Sequence, residues 1–273
     1  MNPAETKTNQ TYDNLATLRG YLVVKSNDLV QKSRFKLSLQ EQKIILYLIS
    51  KIRPEDMDLK EHILEIRDFC KVCGLDANNG ANYKYIKKVL KDLRDRSIWV
   101  SLADGSETTL AWINIVTMNA KSGAVKIQLD ERMKPYLLQL QHNLTCYELL
   151  YILAMRSRYS IRLYEILKSY EYRHREVFEM GNLKRLLAAE NYIRYNDFKR
   201  NVLEIAIKEI NALSDLNVRY EVLKDGRRYS KIKFFMHEKK DIDERLRAWR
   251  EIEESLKSTQ MSLFDHQMRF KEQ

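Results

Sequence analysis

The cluster Arg194, Asn196, Lys199, Arg200 and Asn201 joins the side chains best suited to reading bases in duplex DNA. Arginine can make paired hydrogen bonds to guanine and asparagine to adenine, both from a helix laid in the major groove. Backbone amides at the start of such a helix can hold a phosphate. A second basic pair, Arg227 and Arg228, follows the tight Asp225-Gly226 turn and suits phosphates or the minor groove. A third set, Lys84, Lys87, Lys88 and Lys91, recurs at helical spacing and reaches phosphates along one side, diluted by Asp92 and Asp95. The competing reading of each set is an ordinary solvated face. Context decides between the two, because a base-reading helix needs a particular setting.

That setting is present. Ser38 followed by Glu41 resembles a capping box, and it opens an amphipathic helix through Ile44, Ile45, Leu48, Ile49 and Ile52 that Pro54 stops. Ile63–Ile66 reads as a strand, and Phe69, Val72 and Leu75 suggest a short helix ended near Gly74. After the turn at 76–82, a helix over 83–96 buries Ile86, Val89, Leu90 and Leu93. Strand-like runs follow at 98–102, 110–118 and 125–129. The order is helix, strand, helix, turn, helix, hairpin, which is the layout of a winged helix. The same order recurs: a helix over 147–170, a strand at 176–180, a short helix at 182–189, a turn, a long helix over 195–213 and a hairpin about Asp225-Gly226. The expected fold class is therefore α+β, mainly helical, with tandem winged-helix domains. The expected divisions are a flexible N-terminus (1–20), a first winged helix (21–140), a second (141–238), and a charged helix with a tail (239–273).

Composition agrees. The chain has 273 residues, of which 44% are hydrophobic, with 7 Gly and 3 Pro, so regular elements around a real core should dominate. The net charge of +10 favours a polyanionic partner, and of the stretches 1–144, 145–240 and 241–273 only the last has more acidic than basic residues. Three cysteines, no apolar leader at the N-terminus and no long apolar run point to a cytoplasmic protein. Cys70-Lys-Val-Cys73 lacks the second ligand pair that a zinc site needs and is read as two structural thiols. No cofactor is expected. There is no Walker A motif, no His-x-His pair and no acidic cluster, and no Tyr has the His/Arg set that nucleophilic nicking requires, so no enzymatic activity is expected.

In the tail, Gln260-Met261-Ser262-Leu263-Phe264 resembles the short peptide by which bacterial proteins bind the sliding clamp of the replicative polymerase. Leu263 and Phe264 would fill an apolar pocket, with the Gln260 amide at its rim.

Longer segments carry a broader resemblance. NDLVQKSRFKLSLQEQKIILYLISKI, SRYSIRLYEILKSY and NDFKRNVLEIAIKEINALSDLNVRYEVLKDGRRYSKIKFF look like the initiator replication proteins of iteron-bearing, theta-replicating bacterial plasmids, over roughly residues 21–238. The resemblance implies that the second winged helix binds repeated origin sequences, with Lys199 and Arg200 at the family's recognition-helix basic positions. It implies that the first winged helix contributes DNA contacts and dimerisation, that monomers open the origin, and that dimers repress their own gene. Host initiator and replicative helicase are the implied partners, and clamp contact is not a property of the whole family. The alternative is a tandem winged-helix transcriptional regulator bound to an operator palindrome.

Overall fold

The structure, a computed structural model, describes residues 21–255 apart from 54–55, 77–78, 120–121, 242, 245–246, 249 and 253. The expectations for residues 1–20 and for Gln260, Leu263 and Phe264 lie outside the described residues.

The first half begins with β1 (Leu22–Ser26), α1 (Asn27–Gln31) and β2 (Ser33–Arg34), none of which the hydrophobic pattern had singled out. Next comes α2 (Leu39–Ile49), opened by a complete capping box in which the Ser38 and Glu41 side chains and backbone amides satisfy one another. Then follow β3 (His62–Glu65), α3 (Ile66–Cys73), α4 (Gly80–Asp95) and four strands, β4 (Ser97–Ser101), β5 (Glu107–Ala111), β6 (Ile113–Met118) and β7 (Ala124–Leu129). The helix α4 buries Ile86, Val89, Leu90 and Leu93, as its spacing requires. The run expected as one strand over 110–118 is two strands of different sheets. Trp112, between them, is buried and packs edge-on against Phe35 at 5.1 Å, which turns the chain from one sheet to the next. Hairpin β4–β5 pairs with β2, whereas β7 of hairpin β6–β7 pairs with β3.

After α5 (Lys134–Leu137) comes β8 (Leu144–Glu148), then α6 (Leu149–Ala154) and α7 (Arg158–Ser169). The single helix expected over 147–170 is therefore broken. Residues up to Glu148 are held extended because β8 pairs with β1, and Ser157 starts a new helix by accepting the Tyr159 amide. The second half continues with β9 (Arg175–Glu179), α8 (Met180–Leu186), α9 (Tyr195–Phe198), a π-turn at Lys199–Leu203, α10 (Glu204–Leu213), β10 (Leu216–Asp225) and β11 (Arg228–Glu238).

The two halves share one plan. In each, the strand preceding the helix-turn-helix pairs antiparallel with the second strand of the closing hairpin: β3 with β7, and β9 with β11. Two such units in series are tandem winged helices, the second without the extra hairpin of the first. One continuous core runs through both, and α7 belongs to both. The described residues within 243–255 are helical, and Ala248 and Ile252 among them are buried. No helix among the described residues is long and apolar enough to cross a membrane.

Candidate nucleic-acid interface

In the second unit, the reading helix is anchored by Phe198, Val202, Leu203, Ala206 and Ile210, all inaccessible to solvent. Fixing Phe198 and Val202 inward turns the residues between them outward. Arg194, Asn196 and Arg200 are exposed, and Lys199 and Asn201 are half-buried. The structure thus brings this cluster together on one end of one helix. Lys199 and Arg200 stand in the π-turn, where the Glu204 amide donates to the Lys199 carbonyl five residues back. Such turns are uncommon and often mark functional positions in a helix.

The cationic groups are held loosely. Arg200 pairs with Asp197 at 3.3 Å with its side chain 73% exposed, and Lys199 pairs with Glu204 at 3.3 Å. Exposed pairs of this kind contribute about 0–1 kcal/mol, so either cation can be surrendered to a phosphate or a base. Asn201 is more committed: its amide donates to the Asp197 carbonyl at 2.9 Å.

The wing stands beside the helix. Gly226 takes the turn position with φ 57°, which an L side chain rarely adopts, and places Arg227 and Arg228 at the tip. Tyr195 at the helix start stacks on Tyr229 of β11, centroids 4.1 Å apart and planes 28° from parallel. Between helix and wing runs an open groove of about 560 Å3, whose lining includes Lys184, Ile193, Tyr195, Arg227, Arg228 and Tyr229.

Lys184, Ile193, Tyr195 and Tyr229 were not picked out from sequence. Ile193 is 88% exposed, and Lys184 holds its turn by donating to the carbonyls of Tyr192 (2.6 Å) and Ile193 (3.2 Å). Burial lowers the Lys184 amine below the usual lysine range. Only the position of Ile193 just ahead of the reading helix offered a signal: an apolar residue there can touch a thymine methyl.

In the first unit, Lys84, Lys87, Lys88 and Lys91 are all exposed on α4. Lys87, Lys91 and Arg94 line a shallow groove of about 380 Å3 with Val116 and Met118 of β6. Lys91 pairs with Asp95 at 2.9 Å, which raises its pKa, and Arg94 pairs with the same carboxylate. This face is basic but lacks the arginine-tipped wing of the second unit.

Cys70 and Cys73 are buried on α3, and burial pushes the Cys73 thiol up to about 12. Among the described residues, no group of His, Cys, Asp and Glu could hold a metal ion.

Comparison with known proteins gives two family models that match the chain. One, described as an initiator replication protein WH1 domain, matches residues 22–168, and the other, an initiator Rep protein WH2 domain, matches 179–236. The fold is similar to that of the Pi initiator protein, solved in complex with iteron DNA, with TM-score 0.67 and 20% identity over 82% of this chain and 99% of that chain. Domains 2 and 3 of RctB align with TM-score 0.44 and 11% identity over 77% of this chain and 86% of theirs. The Pi likeness is one of fold, and the RctB likeness is too distant to add to it.

Proposed function

The chain belongs to the initiator replication protein family, and from that premise we propose that it starts plasmid replication by binding direct repeats at an origin, iterons of the kind found with the Pi protein. The observation that carries the reading is the Lys199–Arg200 pair, half-buried and exposed respectively, turned outward by buried Phe198 and Val202 beside the two-arginine wing. In this reading Lys199 and Arg200, with Arg194, Asn196 and Asn201, contact base edges and nearby phosphates. Arg227 and Arg228 grip the backbone alongside, and Lys84, Lys87, Lys88 and Lys91 add weaker phosphate contacts from the first unit. Phosphate contacts supply salt-sensitive affinity, and base contacts supply register.

Residues 141–238 do the main reading, and residues 21–140 add DNA contacts and pair two copies into a repressing dimer. Several copies on adjacent repeats strain the duplex, and that energy helps open a neighbouring AT-rich segment. Host initiator and helicase join at the opened site. Gln260, Leu263 and Phe264 recruit the sliding clamp, and Leu263→Ala/Phe264→Ala should then abolish clamp pull-down while leaving DNA binding unchanged.

The test of the reading itself is a mobility-shift titration on DNA from beside the protein's own gene. Lys199→Ala/Arg200→Ala should lose the preference for that DNA over a scrambled duplex, by roughly fivefold or more for each base contact removed. A double variant with undiminished preference would contradict it.

A further inference from the structure

Where the two winged helices meet lies an open groove of about 450 Å3, whose walls include Lys36, Ser38, Glu41, Arg96, Arg156 and Arg158. All of these residues lie within 22–168, the stretch that the WH1 model matches, and Arg156 and Arg158 at the start of α7 also bond to the second unit. Four cations face one carboxylate, and that carboxylate is occupied. Glu41 is buried, accepts the Ser38 amide at 2.6 Å in the capping box, and has the Arg96 guanidinium at 3.6 Å. Lys36, Arg96 and Arg156 are exposed. The starts of α2 and α7 meet at the same groove, adding partial positive charge to it.

The groove is tied to both reading helices. Arg96 directly follows α4. Arg158 donates to the Ala188 carbonyl at 3.3 Å, in the turn ahead of the second reading helix. The amides of Arg156 and Ser157 donate to Glu209 on α10 at 3.2 and 3.1 Å. These ties place the seam beside the C-terminal end of α4 and beside Glu209 on α10, and in the proposal that follows a long polyanion runs across it from one reading helix to the other. Open walls and exposed cations suit a running phosphate backbone better than an enclosed small anion.

We propose that this seam is a backbone site for duplex DNA, gripping the phosphates between the two reading helices and thereby fixing the distance at which they engage. The proposal rests on the DNA-reading function above. Its residues, however, carry no base contact, so affinity and salt dependence should depend on them while sequence preference should not.

The test compares the full chain with Lys36→Gln/Arg96→Gln, a variant that leaves the bonds of Arg156 and Arg158 in place. Both are titrated by fluorescence anisotropy with the repeat-bearing duplex and a scrambled one, from about 50 mM to about 200 mM NaCl. Each lost phosphate contact should make the log K against log salt slope shallower by about 0.9. Two losses would let the variant's deficit shrink about twelvefold across that range. Ethylation interference should also disappear at phosphates between the two major-groove footprints. An unaltered melting temperature confirms that the variant is folded; if it is not, Lys36→Gln alone is used, with half the slope change.

Unaltered slope and interference in a variant facing a wild type that prefers the repeats would overturn the backbone site and leave the reading standing. The groove would then suit a different anion, such as an acidic peptide. A wild type with no preference for the repeats would bring down both.

Discussion

Arg162 should be among the costliest single residues to remove. It lies on α7 with 3% of its surface exposed, and its guanidinium joins the two winged helices. Nε donates to the Leu186 carbonyl of the second unit at 3.1 Å, and Nη2 donates to the Ser33 carbonyl of the first at 2.8 Å. The guanidinium carbon stands 4.6 Å over the Phe35 ring. Beside it Glu165, equally buried, accepts from both the Lys25 amine and the Tyr147 hydroxyl. Burial pulls the Arg162 pKa down to about 10, so it still carries its charge at neutral pH.

Arg162→Met leaves two buried carbonyls without those donors, at about 1–3 kcal/mol each, and takes a cation from the surroundings of Glu165. Relief of the guanidinium's own desolvation offsets part of this. The net loss should be about 2–4 kcal/mol, most of it from the two orphaned carbonyls, since Glu165 keeps its Lys25 partner. Arg162→Lys keeps the charge but not the fork that reaches both carbonyls, and should lose about 2 kcal/mol or more. Urea unfolding followed by tryptophan fluorescence measures both. A loss under about 1 kcal/mol in Arg162→Met would refute the claim that this side chain fastens the two units.

Lys43 gives a pH signature: it is buried on α2, donates to the Leu153 carbonyl at 2.7 Å, and burial lowers its pKa from 10.5 to about 8. The unfolded chain keeps that proton up to 10.5, so this residue's contribution to stability is absent below about pH 8 and complete above 10.5. Wild type should therefore gain roughly 3 kcal/mol on Lys43→Met across that window, and parallel stability curves for the two would contradict it. The comparison is made as a difference in a Cys73→Ala background, because Cys73, raised from 9.0 to about 12, loses stability as pH climbs through its own range and interacts with Lys43. Tyr229→Ala removes the stack that holds the wing against the reading helix, so DNA affinity should fall several-fold, with about 0.5–1.5 kcal/mol lost from the aromatic pair. Tyr229→Phe keeps the stack and should bind nearly as wild type, which a mobility-shift titration would check.

Local signals carried much of this architecture. The α4 stripe, the Ser38–Glu41 capping box and the Asp225-Gly226 hairpin each depend on residues close in sequence, and each formed where its pattern pointed. What escaped depends on distant partners. β8 is extended because β1 lies beside it, with Val24 opposite Cys146, although its continuation into Leu149–Leu153 reads as one helical run. The break at Trp112 follows from its packing against Phe35, far earlier in the chain. In the reading helix, the apolar spacing placed Lys199 and Arg200 outward. No local pattern announces the π-turn beneath them or the Tyr195–Tyr229 stack, since both arise from packing against the wing and the core. The groove at the seam was invisible for the same reason: its cations are scattered over residues 36–158 and meet only in the folded chain.

The central claim is that the second winged helix reads repeated DNA. The measurement that tests it most directly is a nuclease footprint of the wild-type chain along the DNA flanking its own gene. The account predicts protection of several evenly spaced direct repeats in one orientation, lost together in Lys199→Ala/Arg200→Ala. Protection of a single isolated palindrome, or retardation without any footprint, would contradict it.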